Sequence, residues 1–324
     1  MDRLILFLCL IYLAAIVCVS AATPQPVERA QMTEVQWNNA AVKIPGIAHA
    51  SLWSKFMQVE IGYNVYLPPG YTEGKQRCPT IYFLHGAGGD ENSDAGAFSS
   101  LIRRAVEEKK IAPLIAVFPN GGMTGYIGQS CAKPACETFF IKELIPQIDA
   151  KYRTISARES RAIGGFSMGG GGALGFALKY PELFSAAGTW AASLLNSCPA
   201  AVPRYSLLLN GFLEHWAKKN FARINGRLRL LLIVGDKDLT NNEHKLLIKQ
   251  LNELQLRYEY KVLDGVTHNL ALYYEKTGAE LIRFLAEGLT PKRPDKNPQP
   301  LCAVNSTSSS ARKCLRMRGS YVRS

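Results

Sequence analysis

The sequence predicts an α/β fold, a mainly parallel central sheet with helices on both faces. Three observations predict it. Short apolar runs stopped by glycine or proline, such as "PTIYFLHGAGG" and "APLIAVFPNGG", read as strands buried on both sides. Segments with apolar residues at helical spacing lie between them. The two kinds alternate along most of the chain, as parallel strands joined by crossover helices do. The 324 residues, 47% of them hydrophobic, are ample for a large core.

The elements follow in order. "MDRLILFLCLIYLAAIVCVSAA" has one arginine, an apolar run and then small residues, the pattern of a signal peptide over residues 1–22. An uncleaved anchor is the alternative, but the run Leu4–Val19 is short for a span. Cleavage implies a secreted or periplasmic protein without stable membrane insertion. Residues 23–54 read as a polar lead, 55–290 as the main domain and 291–324 as a basic tail. "FMQVEIGYNVYLPPGY" alternates like edge strands and ends in a Pro-Gly turn. "AFSSLIRRAVEEKK" sets Phe98, Leu101, Ile102, Ala105 and Val106 on one helical face. "ETFFIKELIPQIDAKY" is helical, with Pro146 the place for a kink. "SRAIGGF" is a strand, and Ser167 to Tyr180 is a helix that Pro181 stops. "SAAGTWAAS" and "RLRLLLIVGD" are strands, "NNEHKLLIKQLNEL" a helix, "LRYEYKVLDG" a strand and "AELIRFLAEGL" the final helix. Leu194–Arg227 breaks the alternation and reads either as a lid over the carboxyl edge of the sheet or as a surface excursion.

The formal net charge is +12, but the segment from Pro291 onward holds eight Lys or Arg against one Asp, so +7 of it lies there. The basicity belongs to the tail, and no nucleic-acid partner is expected of the domain. The tail also holds Asn305-Ser306-Thr307, a glycosylation acceptor pattern. Of eight cysteines, Cys131 and Cys136 in "SCAKPACET" are close enough for a disulfide in an oxidising compartment, with two unpaired thiols the alternative. Cys78, Cys198, Cys302 and Cys314 have no spacing that fixes partners, and no histidine cluster or second close pair points to a metal.

The chemistry is concentrated in "AIGGFSMGGGGALGF", with seven glycines where a helix begins. Gly165-Phe166-Ser167-Met168-Gly169 fits G-x-S-x-G between a strand and a helix, the context of a nucleophile elbow. A sharp turn holds the serine, and a side chain two residues to either side would collide. Serine needs a base oriented by a carboxylate, in the chain order Ser, Asp or Glu, His. Among five histidines, His268 in "LDGVTHNL" follows a strand and is the candidate base. His244 lies within a predicted helix and reads as a surface residue. The acid is Asp238, Asp236 or, less favourably placed, Asp264. Thr240–Glu243 fits a capping box, so neither of the first two is needed as a cap, and Asp238 has the longer reach. The tetrahedral oxyanion needs backbone donors. Met168 N–H is one candidate, and Ala87 N–H or Gly86 N–H in "HGAGG" the other, with His85 holding that loop. Trp190 or Trp216 could stack on an aromatic acyl group.

Together, "YNVYLPPGY", "YFLHGAGG", "KELIPQID", "GGFSMGGGGAL", "KYPELF", "VGDKD" and "GVTHN" resemble the esterase-D-like branch of the α/β-hydrolases, over Phe56 to Leu289. The branch includes feruloyl and acetyl-xylan esterases, S-formylglutathione hydrolases and mycolyl-transferring enzymes. The resemblance implies the α/β-hydrolase fold and makes Asp238 the acid. A signal peptide argues against a glutathione-linked cytosolic role. The expected function is a secreted serine carboxylesterase acting on small-molecule or polysaccharide-linked esters of short or aromatic acids, with no metal or cofactor. An acyltransferase of the same fold and a non-catalytic carbohydrate-binding protein are the alternatives.

Overall fold

The computed structural model describes residues 35–127, 135–194 and 211–289. The signal segment, the basic tail, Cys131 and residues 195–210 of the lid candidate therefore lie outside the described residues.

Eight strands form one sheet: β1 (Ile47–Ser54), β2 (Val59–Tyr66), β3 (Thr80–Leu84), β4 (Ile115–Pro119), β5 (Arg161–Phe166), β6 (Ala186–Trp190), β7 (Arg229–Gly235) and β8 (Glu259–Leu263). Their order is β1-β2-β4-β3-β5-β6-β7-β8. β2 runs antiparallel to both neighbours, and β4, β3, β5, β6, β7 and β8 are mutually parallel. The helices are α1 (Ala95–Glu107), α2 (Cys136–Phe139), α3 (Ile145–Lys151), α4 (Met168–Lys179), α5 (Phe212–Lys219), α6 (Phe221–Ile224), α7 (Asn241–Glu253) and α8 (Leu270–Glu287).

β3 shows why continuous apolar runs form these strands. Ile81 and Phe83 point into a core beneath α1 and α8, while Tyr82 and Leu84 point into another beneath α2 to α5 and α7. A strand sandwiched this way needs apolar residues at every position. Between α2 and α3, Phe140–Leu144 forms a π turn. Pro146 has no N–H to offer the carbonyl four residues back, and the wider turn takes up the mismatch where a kink was expected.

Two expectations, on residues 23–54 and on His244, are corrected, and two others are only partly covered by the described residues. β1 lies inside residues 23–54, which read as a lead; its half-exposed "IAHASLWS" has too weak an alternation to announce a strand. Residues before it are also tied to the sheet, since Asn39 N–H donates to Glu91 Oε1 at 2.6 Å and Gly62 N–H to the Trp37 carbonyl at 2.7 Å. His244 is wholly buried rather than on the surface, on the same α7 face as Leu247 and Leu251. Among the described residues Cys136 is a buried free thiol, its pKa pushed up to about 11 by burial, while Cys131 lies outside them. The described part of the lid candidate packs on the flank of α4: Asn220 Nδ2 donates to the Leu178 carbonyl at 2.8 Å.

Candidate active site

The turn from β5 into α4 holds Ser167 at φ 54°, ψ −117°, a region that costs a non-glycine residue about 1–3 kcal/mol. Surrounding bonds enforce it. Ser167 N–H donates to the Trp190 carbonyl at 2.9 Å, and the Ser167 carbonyl accepts from Gly171 and Ser193 N–H at 3.0 and 2.9 Å. A Cβ on Gly165 would lie 2.5 Å from the Gly169 carbonyl carbon, and one on Gly169 would lie 2.0 Å from the Leu84 oxygen. Both glycines of the G-x-S-x-G pattern are therefore required by backbone contact. Gly172 and Gly175 likewise let α4 press on Tyr126 and Ile127, which would stand 2.8 and 2.9 Å from an added Cβ.

His268 follows β8, and Asp238 follows β7. Across 101 residues of chain, His268 Nε2 lies 2.9 Å from Ser167 Oγ. Its Nδ1 lies 2.9 and 3.0 Å from the two oxygens of Asp238. The Phe166 ring packs 4.8 Å from the imidazole and limits its tilt. The Asp238 side chain is 0% exposed and His268 is 22% exposed, so the acid is sealed while the base meets solvent. Burial alone would raise the Asp238 carboxyl, but bonds from His268, Thr240 and Tyr273 hold it below its ordinary value. Asp236 is turned away, its Oδ1 accepting from Gly265 N–H at 2.7 Å. The capping box is not formed. Thr240 donates its hydroxyl to Asp238 Oδ1 at 2.8 Å, and Glu243 accepts from Leu194 N–H at 2.5 Å.

The "HGAGG" loop passes beside the serine, since a Cβ on Gly86 would lie 3.5 Å from the Ser167 Cβ. His85 is buried, and burial lowers its pKa. Its Nε2 accepts from Gly121 N–H at 2.9 Å, and its Nδ1 bonds the Gly86 carbonyl at 2.7 Å, which assigns the proton to Nδ1. The loop is thereby tied to the one after β4. Ala87 and Met168 lie in the two backbone segments that flank Ser167, and the first turn of α4 leaves its N–H groups without acceptors within the helix.

The two tryptophans are not placed to line a pocket. Trp190 is 0% exposed, its Nε1 donating to Thr277 Oγ1 at 3.0 Å beneath the sheet edge. Trp216 packs under Lys179, whose Nζ lies 5.1 Å from its ring centre. Lys179 ends the 12-residue α4, about 18 Å from the serine at 1.5 Å per residue. Sequence reasoning missed Tyr273, whose hydroxyl donates to Asp238 Oδ2 at 2.7 Å. A tyrosine in the first turn of a helix carries no signal of that role. Among the described residues, no group of three or more His, Cys, Asp or Glu is placed to hold a metal ion.

The sheet order, the elbow after β5 and the residues after β7 and β8 together define an α/β-hydrolase fold. The profile of the family described as "Putative esterase" matches residues 54–278, and the chain belongs to that family. It is 36% identical over 165 residues to an esterase of Mycobacterium tuberculosis, covering 50% of this chain and 33% of that protein. It is 35% identical over 147 residues to an endo-1,4-beta-xylanase/feruloyl esterase of Xylanibacter ruminicola, covering 43% of this chain and 20% of the relative. The chain thus matches a third or less of the length of these relatives. Among solved structures, a ferulic acid esterase superposes with a TM-score of 0.65 at 24% identity, covering 75% of this chain and 98% of the other. A ferulic acid esterase from Anaeromyces mucronatus, in complex with ferulic acid, gives 0.59 at 19%, covering 78% and 96%.

Proposed function

We propose that this chain is a secreted serine carboxylesterase that hydrolyses esters of short or aromatic acids through an acyl-enzyme on Ser167. The observation that carries the reading is the continuous chain of bonds from Ser167 Oγ through His268 to Asp238, built on a strained elbow. In this mechanism His268 Nε2 takes the Oγ proton as the oxygen attacks the ester carbonyl. Asp238 stabilises the imidazolium that forms and holds the tautomer with hydrogen on Nδ1. The oxyanion accepts from the N–H groups of Ala87 and Met168. His268 then gives its proton to the departing alcohol, and water, activated by the same imidazole, releases the acid. The start of α4 adds the favourable end of its dipole to the developing negative charge.

Trp190 is buried and Trp216 is half-buried beside Lys179, so neither position supplies stacking as a reason for aromatic acids. That half of the reading rests on similarity to feruloyl esterases. Export rests on the N-terminal pattern of the sequence. Among the described residues no helix is long and apolar enough to cross a membrane.

The test measures kcat/KM on acetyl, butyryl, octanoyl, palmitoyl and feruloyl esters of one phenol, with a fluorophosphonate probe in parallel. Short-acyl or feruloyl esters are expected to lead, and the probe to label wild type but not Ser167→Ala. Ser167→Ala and His268→Ala should each lower kcat by roughly 10⁴–10⁶, with little further loss in the double variant. Asp238→Asn should be severe and Asp236→Asn mild. A maximum at octanoyl or palmitoyl, or activity surviving Ser167→Ala, would sink the reading.

A further inference from the structure

We infer that Tyr273 is a positioning residue that sets the basicity of the Asp238–His268 pair. The inference rests on the triad reading above and deepens it. The Tyr273 hydroxyl stands between two fixed points. It accepts from Gly235 N–H, at the end of β7, at 2.7 Å and donates to Asp238 Oδ2 at 2.7 Å. The ring is fully buried, held by Trp190 at 6.3 Å and Phe166 at 5.7 Å between ring centres. One phenol therefore ties the strand end, the catalytic carboxylate and the last helix into a single rigid unit.

Asp238 would be an expensive group to bury as an anion without compensation. Its Oδ1 accepts from Thr240 N–H and Thr240 Oγ–H, both at 2.8 Å, and shares His268 Nδ1. Oδ2 has Tyr273 as its other donor beside His268. Removing the phenol leaves that oxygen with the imidazole alone. A carboxylate short of donors holds a proton on His268 more tightly, so the imidazole would stay protonated to higher pH. The Asp238 carboxylate would also be freer to turn about its own Cβ–Cγ bond, which misaims the imidazole it holds.

The ionisable groups facing Asp238 are His268 from the β8–α8 loop, Tyr273 from α8 and His244 from α7. Burial holds His244 down to about 4, so it is neutral where the enzyme is assayed. Burial and the neighbouring Asp238 carboxylate raise Tyr273 far above its ordinary value, so it stays a donor. Changes in the acid limb of activity therefore report on Asp238 and His268.

The neighbouring residue supplies a matched control. Tyr274 on the same helix donates to a different buried carboxylate, Asp94 Oδ1, at 2.6 Å. Tyr273→Phe is expected to lower kcat about 10- to 100-fold, the span of one hydrogen bond to a charged group, with KM unchanged. It should also move the acid limb of the kcat profile to higher pH. Tyr274→Phe should leave that limb in place. Tyr273→Phe also strips the Gly235 N–H of its acceptor, so a second substitution keeps both bonds. 3-Fluorotyrosine at position 273 is a stronger donor and should move the acid limb to lower pH, opposite to phenylalanine. An acid limb that stays fixed in both Tyr273 variants, while Ser167→Ala abolishes turnover, would overturn the positioning role and leave the triad intact. Turnover that survives Ser167→Ala would instead overturn the triad reading itself.

Discussion

His244 shows how one side chain can govern acid stability. Its imidazole is buried on the α7 face, 6.3 Å from the Tyr260 ring between centres. Burial lowers it from 6.5 to about 4, against the pull of Asp238 and of the Ala192 backbone. A depressed pKa means the unfolded chain binds a proton that the folded chain refuses. This contribution is complete above about pH 6.5 and is lost as the pH falls toward 4, at most roughly 3 kcal/mol in all. Asp94 has the opposite slope, since burial raises its carboxyl to about 6 and ionising it costs stability as the pH rises. Comparing His244→Leu with wild type at each pH isolates the histidine. The variant should show a flatter Tm between pH 7 and 4.5, and parallel curves would exclude the effect. His244 stands three residues before Leu247 and seven before Leu251, so its burial was legible in the helical period; reading histidine as a polar surface residue hid it. The grouping of Ser167, His268 and Asp238 into one candidate site was legible because chemistry and chain order restrict it. Asp238 was preferred to Asp236 for its longer reach, while the capping box thought to free both is not formed, since Thr240 serves the carboxylate. Tyr273 and the burial of Trp190 depend on contacts between elements far apart in sequence, which no local pattern records.

At the scale of elements, the β1–β2 hairpin and the segment before it stand out. β1 pairs with β2 along all eight residues, from Ile47↔Tyr66 to Ser54↔Val59. Its tip is anchored to the π turn, where Glu143 accepts from Ser54 Oγ at 2.5 Å and Lys55 N–H at 2.9 Å. Glu91, buried between the preceding segment and the sheet, also accepts from Asn120 Nδ2 at 2.7 Å. A chain starting at residue 55, the boundary the sequence suggested, would expose the β2 edge and leave Glu91 short of donors. It should be insoluble or unfold without cooperativity, whereas a chain starting at residue 35 should melt like the full protein. Equal Tm values for the two would show β1 to be dispensable. The inner parallel strands β3 to β7 were readable because both their faces are covered. β1 was not, because an edge strand with intermediate exposure lacks both the continuous run and the clean alternation.

On the scale of the whole molecule, the sheet separates two cores, one beneath α1 and α8 and one beneath α2 to α5 and α7. The first is closed by the last helix, whose Leu281 and Leu285 pack against the middle strands. Ser167 sits near the middle of the chain, and His268 arrives only with the loop before that helix, 101 residues later. Contacts of such separation form late, after the entropy of closing long loops has been overcome. The elbow can therefore take shape before His268 is in place, and on the proposed function the serine is inert in that state. In refolding from denaturant, most of the tyrosine and tryptophan fluorescence change should precede labelling by a fluorophosphonate, because reactivity waits for the C-terminal helix. Labelling that keeps pace with the earliest fluorescence phase would refute this order. On the proposed function, chemistry is gated by completion of the fold: a ribosome-bound or partly folded molecule would carry Ser167 harmlessly past every ester it meets.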